Sequence, residues 1–198
     1  MTNEQYHDFI IPYEDAKNIV LTHLESLNYS IYKQTSNHMI HHVQSRMKGK
    51  RSIEEKLKRQ DLTDSVANAK DYLMDIAGIR VICYFEDDVY NLVNLIRKQS
   101  DIIVLKETDY ISNPKVNGYR SYHMVIGIQV FNLNTKDYYP VELQLRTLSM
   151  DFWASMEHRI CYKKNRTDRE QLEKAFLKYA KELEEMEKQI QILDVTDK

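Results

Sequence analysis

Asp75, Glu142 and a basic run between Arg46 and Arg59 are the residues whose types and spacing suit phosphate chemistry. In Tyr139–Thr147, Glu142, Gln144 and Arg146 alternate with Val141, Leu143 and Leu145, the period of a strand with one buried face. Its polar face carries an acid, an amide and a guanidinium about 7 Å apart. Alone, such a face is an ordinary solvated sheet surface. Other parts of the chain give it chemical meaning. Seven residues of the stretch Ser45–Arg59 are basic and two are acidic. Ser52 is expected to cap a helix, with Glu55 as its capping-box partner, which puts Lys56 and Arg59 on one helix face. A basic strand end followed by a basic helix N-terminus makes a polyphosphate receptor. Arg80 is the one charge in the apolar run Ile79–Phe85, and an arginine in a buried strand ordinarily has a partner or ligand. Tyr119, Arg120, Tyr122 and His123 supply flat rings for stacking and donors for phosphate. Two separated carboxylates suit Mg²⁺ bridging substrate phosphates. Lysines and arginines neutralise charge on a transferred group, and guanidinium planes stack on purines.

The elements that must position these groups follow from the rest of the chain. At 198 residues, 42% hydrophobic and 29% charged, the chain is expected to form a single domain over residues 1–198. The net charge of −2 gives no global pull toward nucleic acid or membrane. No apolar run is long enough to cross a bilayer, and the N-terminus does not read as a signal peptide, so a cytoplasmic protein is expected. Cys83 and Cys161 have neither disulfide-framework nor metal spacing. His7-Asp8 and the His38, His41, His42 group lack the further ligands that a metal site needs. With four glycines and no Gly-rich phosphate loop, side chains must do most of any phosphate binding.

A helix is expected from about Gln5 to Leu27, with Pro12 in its first turn, then a polar turn over Asn28–Met39. Ile79–Phe85 reads as a central strand, followed by a helix to about Gln99 capped by Asp87 or Asp88 and a strand over Ile102–Leu105. A strand over Tyr119–Val130, a hairpin turn at Asn132–Lys136 and the Glu142 strand should pair antiparallel. A helix covers Leu148–Ile160. Leu172, Phe176, Tyr179, Leu183, Met186, Ile190 and Leu193 form a heptad seam, so residues 168–193 are expected to be an oligomerisation helix.

At these residues the chain resembles the synthetase domain of the RelA/SpoT family, and within it the stand-alone small alarmone synthetases. The matching motifs are Arg46-x-Lys48-x-x-x-Ser52-Ile53-x-x-Lys56, Asp75-Ile76-Ala77-Gly78-Ile79-Arg80, Gly118-Tyr119-Arg120-Ser121-Tyr122-His123, Val141 to Thr147, and Phe152-Trp153-Ala154 with Glu157-His158. The resemblance covers about residues 5 to 190, with the five motifs in order, which is specific in a way that no single motif is. The resemblance implies an α/β fold related to nucleotidyltransferases: a mixed, mostly antiparallel sheet flanked by helices, with long terminal helices. It implies a GTP pyrophosphokinase that moves the β,γ-pyrophosphate of ATP to the ribose 3′-OH of GDP or GTP, giving ppGpp or pppGpp.

By position, the resemblance implies that Arg46 and Arg80 sandwich adenine, while Lys48, Ser52, Lys56 and Arg59 hold the ATP phosphates. Asp75 would ligate Mg²⁺, with Glu142 as second metal ligand or as the base for the 3′-OH. Tyr119 would stack on guanine, with Lys115, His123, Gln144 and Arg146 placing the acceptor. A homotetramer is implied. About 45 residues precede Arg46, too few for the family's hydrolase domain, so synthesis without hydrolysis is expected. Where product-activated members carry basic residues and an asparagine, this chain has Glu25 nearby and Asp151, so weak or absent activation by (p)ppGpp is expected. Two rival functions are a toxin-type synthetase acting on the 3′ end of tRNA, which would call for an extra basic surface, and an inactive nucleotide- or RNA-binding module, which would be expected to lack Asp75 or Glu142.

Overall fold

The structure, a computed structural model, describes residues 1–132, 135–161 and 169–195. Helix α1 (Asn3–Thr35) buries Phe9, Tyr13, Ala16, Val20 and Leu24 on one stripe. It starts earlier and ends later than its apolar spacing suggests. Thr2 and Gln5 close a reciprocal capping box, with bonds of 3.1 and 2.8 Å, so Pro12 lies inside the helix rather than in its first turn. The polar residues Asn28–Thr35 continue the helix, because no Gly or Pro stops them. The chain leaves α1 only at Ser36, in a left-handed conformation with φ 62°. Asn28 Oδ1 then accepts from Ile40 N at the start of the next strand.

Five strands follow: β1 (Ile40–Met47), β2 (Ala77–Cys83), β3 (Ile102–Asp109), β4 (Tyr122–Asn132) and β5 (Thr135–Thr147). Their order in the sheet is β1-β2-β5-β4-β3. Only β2 and β5 run parallel; the other neighbours are antiparallel, as a mixed, mostly antiparallel sheet requires. The strand expected at Tyr119 begins at Tyr122. The hairpin expected at Asn132–Lys136 is tighter, since Asn132 pairs with Thr135, and residues 133 and 134 of that expectation lie outside the described residues. Strand β3 runs on to Asp109.

One face of the sheet is the core. Ile79, Val81, Met124, Ile126, Ile128, Val141, Leu143 and Leu145 are buried there with the α1 stripe. Val89, Leu92, Val93 and Ile96 of α4 (Glu86–Arg97) join them. Neither Asp87 nor Asp88 is the N-cap of α4. Phe85 is, and the Asp88 carboxylate accepts its N–H at 3.1 Å. The other face carries Arg80, His123, Glu142 and Gln144. Two short helices lie between β1 and β2: α2 (Lys50–Arg59) and α3 (Val66–Tyr72), the second of which the sequence pattern did not reveal.

Helix α5 (Leu148–Cys161) follows β5 directly, and α6 (Arg169–Val195) packs beside it. Their shared core is Trp153 against Phe176 and Ala180, and the Trp153 indole N–H donates to the Phe176 carbonyl at 2.7 Å. The heptad seam therefore divides. Phe176 is buried on α5, while Tyr179, Met186, Ile190 and Leu193 are exposed. Among the described residues no helix is long and apolar enough to cross a membrane.

Candidate active site

The open face of the sheet gathers the sequence-nominated residues into two adjoining clusters. The first is basic around one carboxylate. Lys48 follows β1, and Lys56 lies one turn from the end of α2. Both ammonium groups donate to the same oxygen of Asp75, Oδ2, at 2.6 and 2.8 Å. Burial alone would raise the Asp75 pKa. The two ammonium partners outweigh it and hold the carboxyl below the usual range. The second oxygen, Oδ1, is buried with no hydrogen-bond partner among the described residues. Such an atom fits a cation that prefers oxygen ligands.

Ser52 is not the cap of α2. Gly49 occupies that position without a side-chain bond to the helix, and Ser52 N bonds to Gly49 O at 2.9 Å as part of the first turn. Glu55 pairs with Arg51 at 2.9 Å instead of closing a box. Free of capping work, the Ser52 hydroxyl stays at the helix N-terminus, where backbone N–H groups attract anions. Arg59 is not brought into this cluster. It is exposed and its Nε donates to Glu55 O, on its own helix.

Sheet register makes the floor. Arg46 on β1 lies opposite Gly78 on β2, and Gly78 opposite Glu142 on β5. The next row is Gln44, Arg80, Gln144 and His123 across β1, β2, β5 and β4. These rows line an open cleft of about 240 Å³, bounded by Gln44, Ser45, Arg46, Gly78, Ile79, Arg80, Glu142 and Gln144. The Arg46 side chain lies over Gly78, at 3.8 Å from where a Cβ would sit. Glu142 accepts one bond, from Gln144 Nε2 at 3.2 Å. Gln44 was not singled out from the sequence, although it stands two residues before Arg46 and so shares its face.

The second cluster is built around Arg146, which is buried. Its guanidinium donates to Tyr119 OH at 2.8 Å, Gln144 Oε1 at 3.2 Å, Ser121 Oγ at 3.4 Å and Asp151 Oδ1 at 3.1 Å. Asp151 Oδ1 also meets Arg80 at 3.3 Å, so one carboxylate oxygen spans the arginines of both clusters. Burial and the Arg146 charge lower the Arg80 pKa, with Asp151 opposing them; a guanidinium stays charged regardless. No periodicity in the chain signals this bridge, because Asp151 sits on α5 and the arginines on two strands.

Tyr119 is walled by rings and cations. Lys115 lies 5.0 Å from its centroid and 4.7 Å from that of Tyr110, and Arg146 lies 5.2 Å from it. His123 Nε2 is 2.8 Å from Tyr119 OH. Burial first, then the Arg146 and Lys115 charges, push the His123 pKa down to about 4, so its ring is neutral at neutral pH. The phenol oxygen accepts from Arg146 and shares a hydrogen with His123 Nε2, the direction of that bond being set by the ring's tautomer. Tyr110 packs edge-on against Tyr119 and His123, with ring centroids 6.0 and 5.2 Å away.

Among the described residues, no group of three His, Cys, Asp or Glu is placed to hold a metal ion. The carboxylates Asp75 and Glu142 would need substrate oxygens to complete a coordination sphere, which is how Mg²⁺ is ordinarily bound with nucleotides.

A sequence profile described as the region found in RelA / SpoT proteins matches residues 45–167. The chain is 42% identical over 162 residues to GTP pyrophosphokinase YwaC of Bacillus subtilis, covering 77% of each chain. It is 33% identical over 164 residues to GTP pyrophosphokinase YjbM of the same organism, covering 82% of this chain and 76% of that one. Small alarmone synthetase 1 from Bacillus subtilis, in a crystal structure bound to its product pppGpp, superposes with a TM-score of 0.85 at 28% identity and covers 98% of both chains.

Proposed function

This chain belongs to the RelA/SpoT family and is a pyrophosphokinase, and we propose that it transfers the β,γ-pyrophosphate of ATP to the ribose 3′-OH of GDP or GTP with the help of Mg²⁺. The observation that carries this reading is Asp75, with a buried oxygen that has no partner among the described residues, at the entry to β2, together with Glu142 opposite Gly78 of that strand and near the Arg146–Tyr119 cluster. The relative with bound pppGpp supports an acceptor of the guanosine class.

In this reading Arg46 and Arg80 hold the adenine of the donor over the cleft floor. Lys48, Lys56 and Ser52 receive its phosphates, and Arg59 reaches them only by leaving the Glu55 carbonyl. As the phosphates arrive, the two ammonium groups exchange Asp75 Oδ2 for phosphate oxygens. When Mg²⁺ is bound by Asp75 and Glu142 it draws charge from the phosphate oxygens and favours displacement. Tyr119 stacks on guanine, and Lys115, His123, Gln144 and Arg146 place the acceptor's ribose and phosphates. Glu142 takes the proton of the 3′-OH as that oxygen bonds to the β-phosphorus. The bond from the β-phosphorus to the oxygen bridging it to the α-phosphorus breaks, and AMP leaves with that oxygen. The exposed Tyr179, Met186, Ile190 and Leu193 of α6 are proposed to bury themselves on further copies of this chain, as a homotetramer.

The test offers purified protein Mg²⁺, labelled ATP, and GDP, GTP or bulk tRNA in separate reactions, with Asp75→Ala and Glu142→Ala as controls. Label in ppGpp or pppGpp, lost in both variants, supports the proposal. Label on tRNA alone, or no transfer to any acceptor, refutes it.

A further inference from the structure

Arg120 follows the stacking tyrosine, yet it points away from the substrate pocket. Its guanidinium is 8% exposed and donates to Glu86, the first residue of α4, at 2.6 Å. Its other terminal nitrogen lies 3.5 Å from Glu184 of α6, and Nε is buried without a hydrogen-bond partner among the described residues. Tyr119 and Ser121, on either side, both reach Arg146. The backbone at 119–121 lies outside β4 and is held to the preceding segment by two bonds, from Tyr110 N to Ser121 O at 3.0 Å and from Lys115 N to Tyr119 O at 3.1 Å. Two further fixed points face the helices. Gly118, at φ +92°, rests against α6 so closely that a Cβ would lie 2.8 Å from Ala180 Cβ. Arg120 is the ionic second anchor. On the same helix, Glu187 accepts from the hydroxyls of Thr147 and Ser149, next to Arg146. Helix α6 thus meets the segments on both sides of the Tyr119–Arg146 cluster, through the buried Arg120 and the buried Glu187.

We infer that Arg120 is a positioning residue for the guanosine acceptor, fixing the Tyr119 ring by clamping the adjacent backbone to α4 and α6. This rests on the reading of Tyr119 as the guanine platform. Arg120 is buried while Glu86 and Glu184 are part-exposed, so removing the cation leaves two carboxylates without their shared partner and opens the clamp. The donor cluster is untouched, since Arg46 stands on β1, Lys48 just after it, Lys56 on α2 and Asp75 at the entry to β2.

The experiment compares KM for GDP and for ATP in Arg120→Gln, Arg120→Lys, Glu184→Gln and Tyr119→Ala, with thermal melts to confirm folding. A displaced positioning group costs on the order of tenfold to a hundredfold. Arg120→Gln is expected to raise KM for GDP by about that factor, with KM for ATP within about twofold. Arg120→Lys should recover part of the loss. Glu184→Gln, which removes only the longer contact, should shift KM for GDP the same way by less. If Tyr119→Ala raises KM for GDP while Arg120→Gln leaves it alone, or raises both KM values equally, the positioning role is overturned. If Tyr119→Ala leaves KM for GDP unchanged, the guanine platform itself falls, and the role of Arg120 with it.

Discussion

Asp75→Asn and Glu142→Gln should both abolish pyrophosphate transfer, yet only the first should weaken the fold. Asp75 is one-fifth exposed and its Oδ2 takes two ammonium groups at 2.6 and 2.8 Å. A hydrogen bond to a charged group contributes about 1.5–3 kcal/mol net. The amide keeps one acceptor oxygen, so about one such bond is lost, and Lys48 and Lys56 are left without the charge between them. Because both lysines are partly exposed, they relax toward water, and a net cost of about 2 kcal/mol is expected. For a domain of this size that is a drop in Tm of roughly 4–8 °C. Glu142 holds only a 3.2 Å bond from Gln144, and its amide should change stability by no more than about 0.5 kcal/mol.

The pH dependence supplies a second axis. The folded Asp75 carboxyl sits below its unfolded pKa, so the folded state binds fewer protons between the two values. Its stabilisation is therefore full above about pH 3.9 and is lost as the pH falls through the depressed folded value. The gap between wild type and Asp75→Asn should accordingly close in acid. Urea titrations from pH 3 to pH 7, thermal melts and the labelled-ATP assay on all three proteins decide it. Both variants should lose at least about a hundredfold in rate. Equal destabilisation of the two variants, or Asp75→Asn keeping activity within about threefold, would refute the account of the Asp75 cluster.

His123 has a folded pKa near 4 against about 6.5 unfolded, so stability should rise with pH across that window and level off above it. Denaturation of His123→Gln should lack this slope, and activity from pH 6 to pH 8 should show no titration of this ring. Gly118→Ala should cost about 2 kcal/mol or more, because a Cβ there meets Ala180 at 2.8 Å in a left-handed backbone. Adding Ala180→Gly should return only part of the loss in melting experiments, since the strain at φ +92° stays. Met186→Glu with Ile190→Glu, both on the exposed side of α6, should lower the mass seen in sedimentation velocity without lowering the monomer's helix content. An unchanged mass would remove α6 from the assembly.

Much of the site was legible because residue type and period carry it. Strict alternation set Glu142, Gln144 and Arg146 on one face whatever the sheet's order, since successive strand side chains must point opposite ways. The α4 and α1 stripes were readable for the same reason at helical period. Element ends were less so. Ser52 has the better capping chemistry, yet Gly49 caps α2, because the chain leaving β1 is already tied down by Lys48 N bonding to Ile76 O at 2.8 Å. The polar Asn28–Thr35 lacks an apolar stripe but also lacks a breaker, and helix propagation carries α1 through it.

Residue types alone name the groups that could serve: two carboxylates, a basic run, and a ring followed by a guanidinium and an imidazole. How they meet is a matter of the fold. The parallel pairing of β2 with β5 sets Gly78 beside Glu142 and Arg80 beside Gln144, across more than sixty residues of chain. Folding also aims Lys48 and Lys56 at one oxygen of Asp75 and leaves the other free, and it makes Asp151 the bridge between Arg80 and Arg146. It splits the heptad seam between the core and solvent, because α6 must lie close enough for Ala180 to touch Gly118. These outcomes depend on strand order and side-chain packing, which are cooperative properties of the whole fold and leave no local period in the sequence.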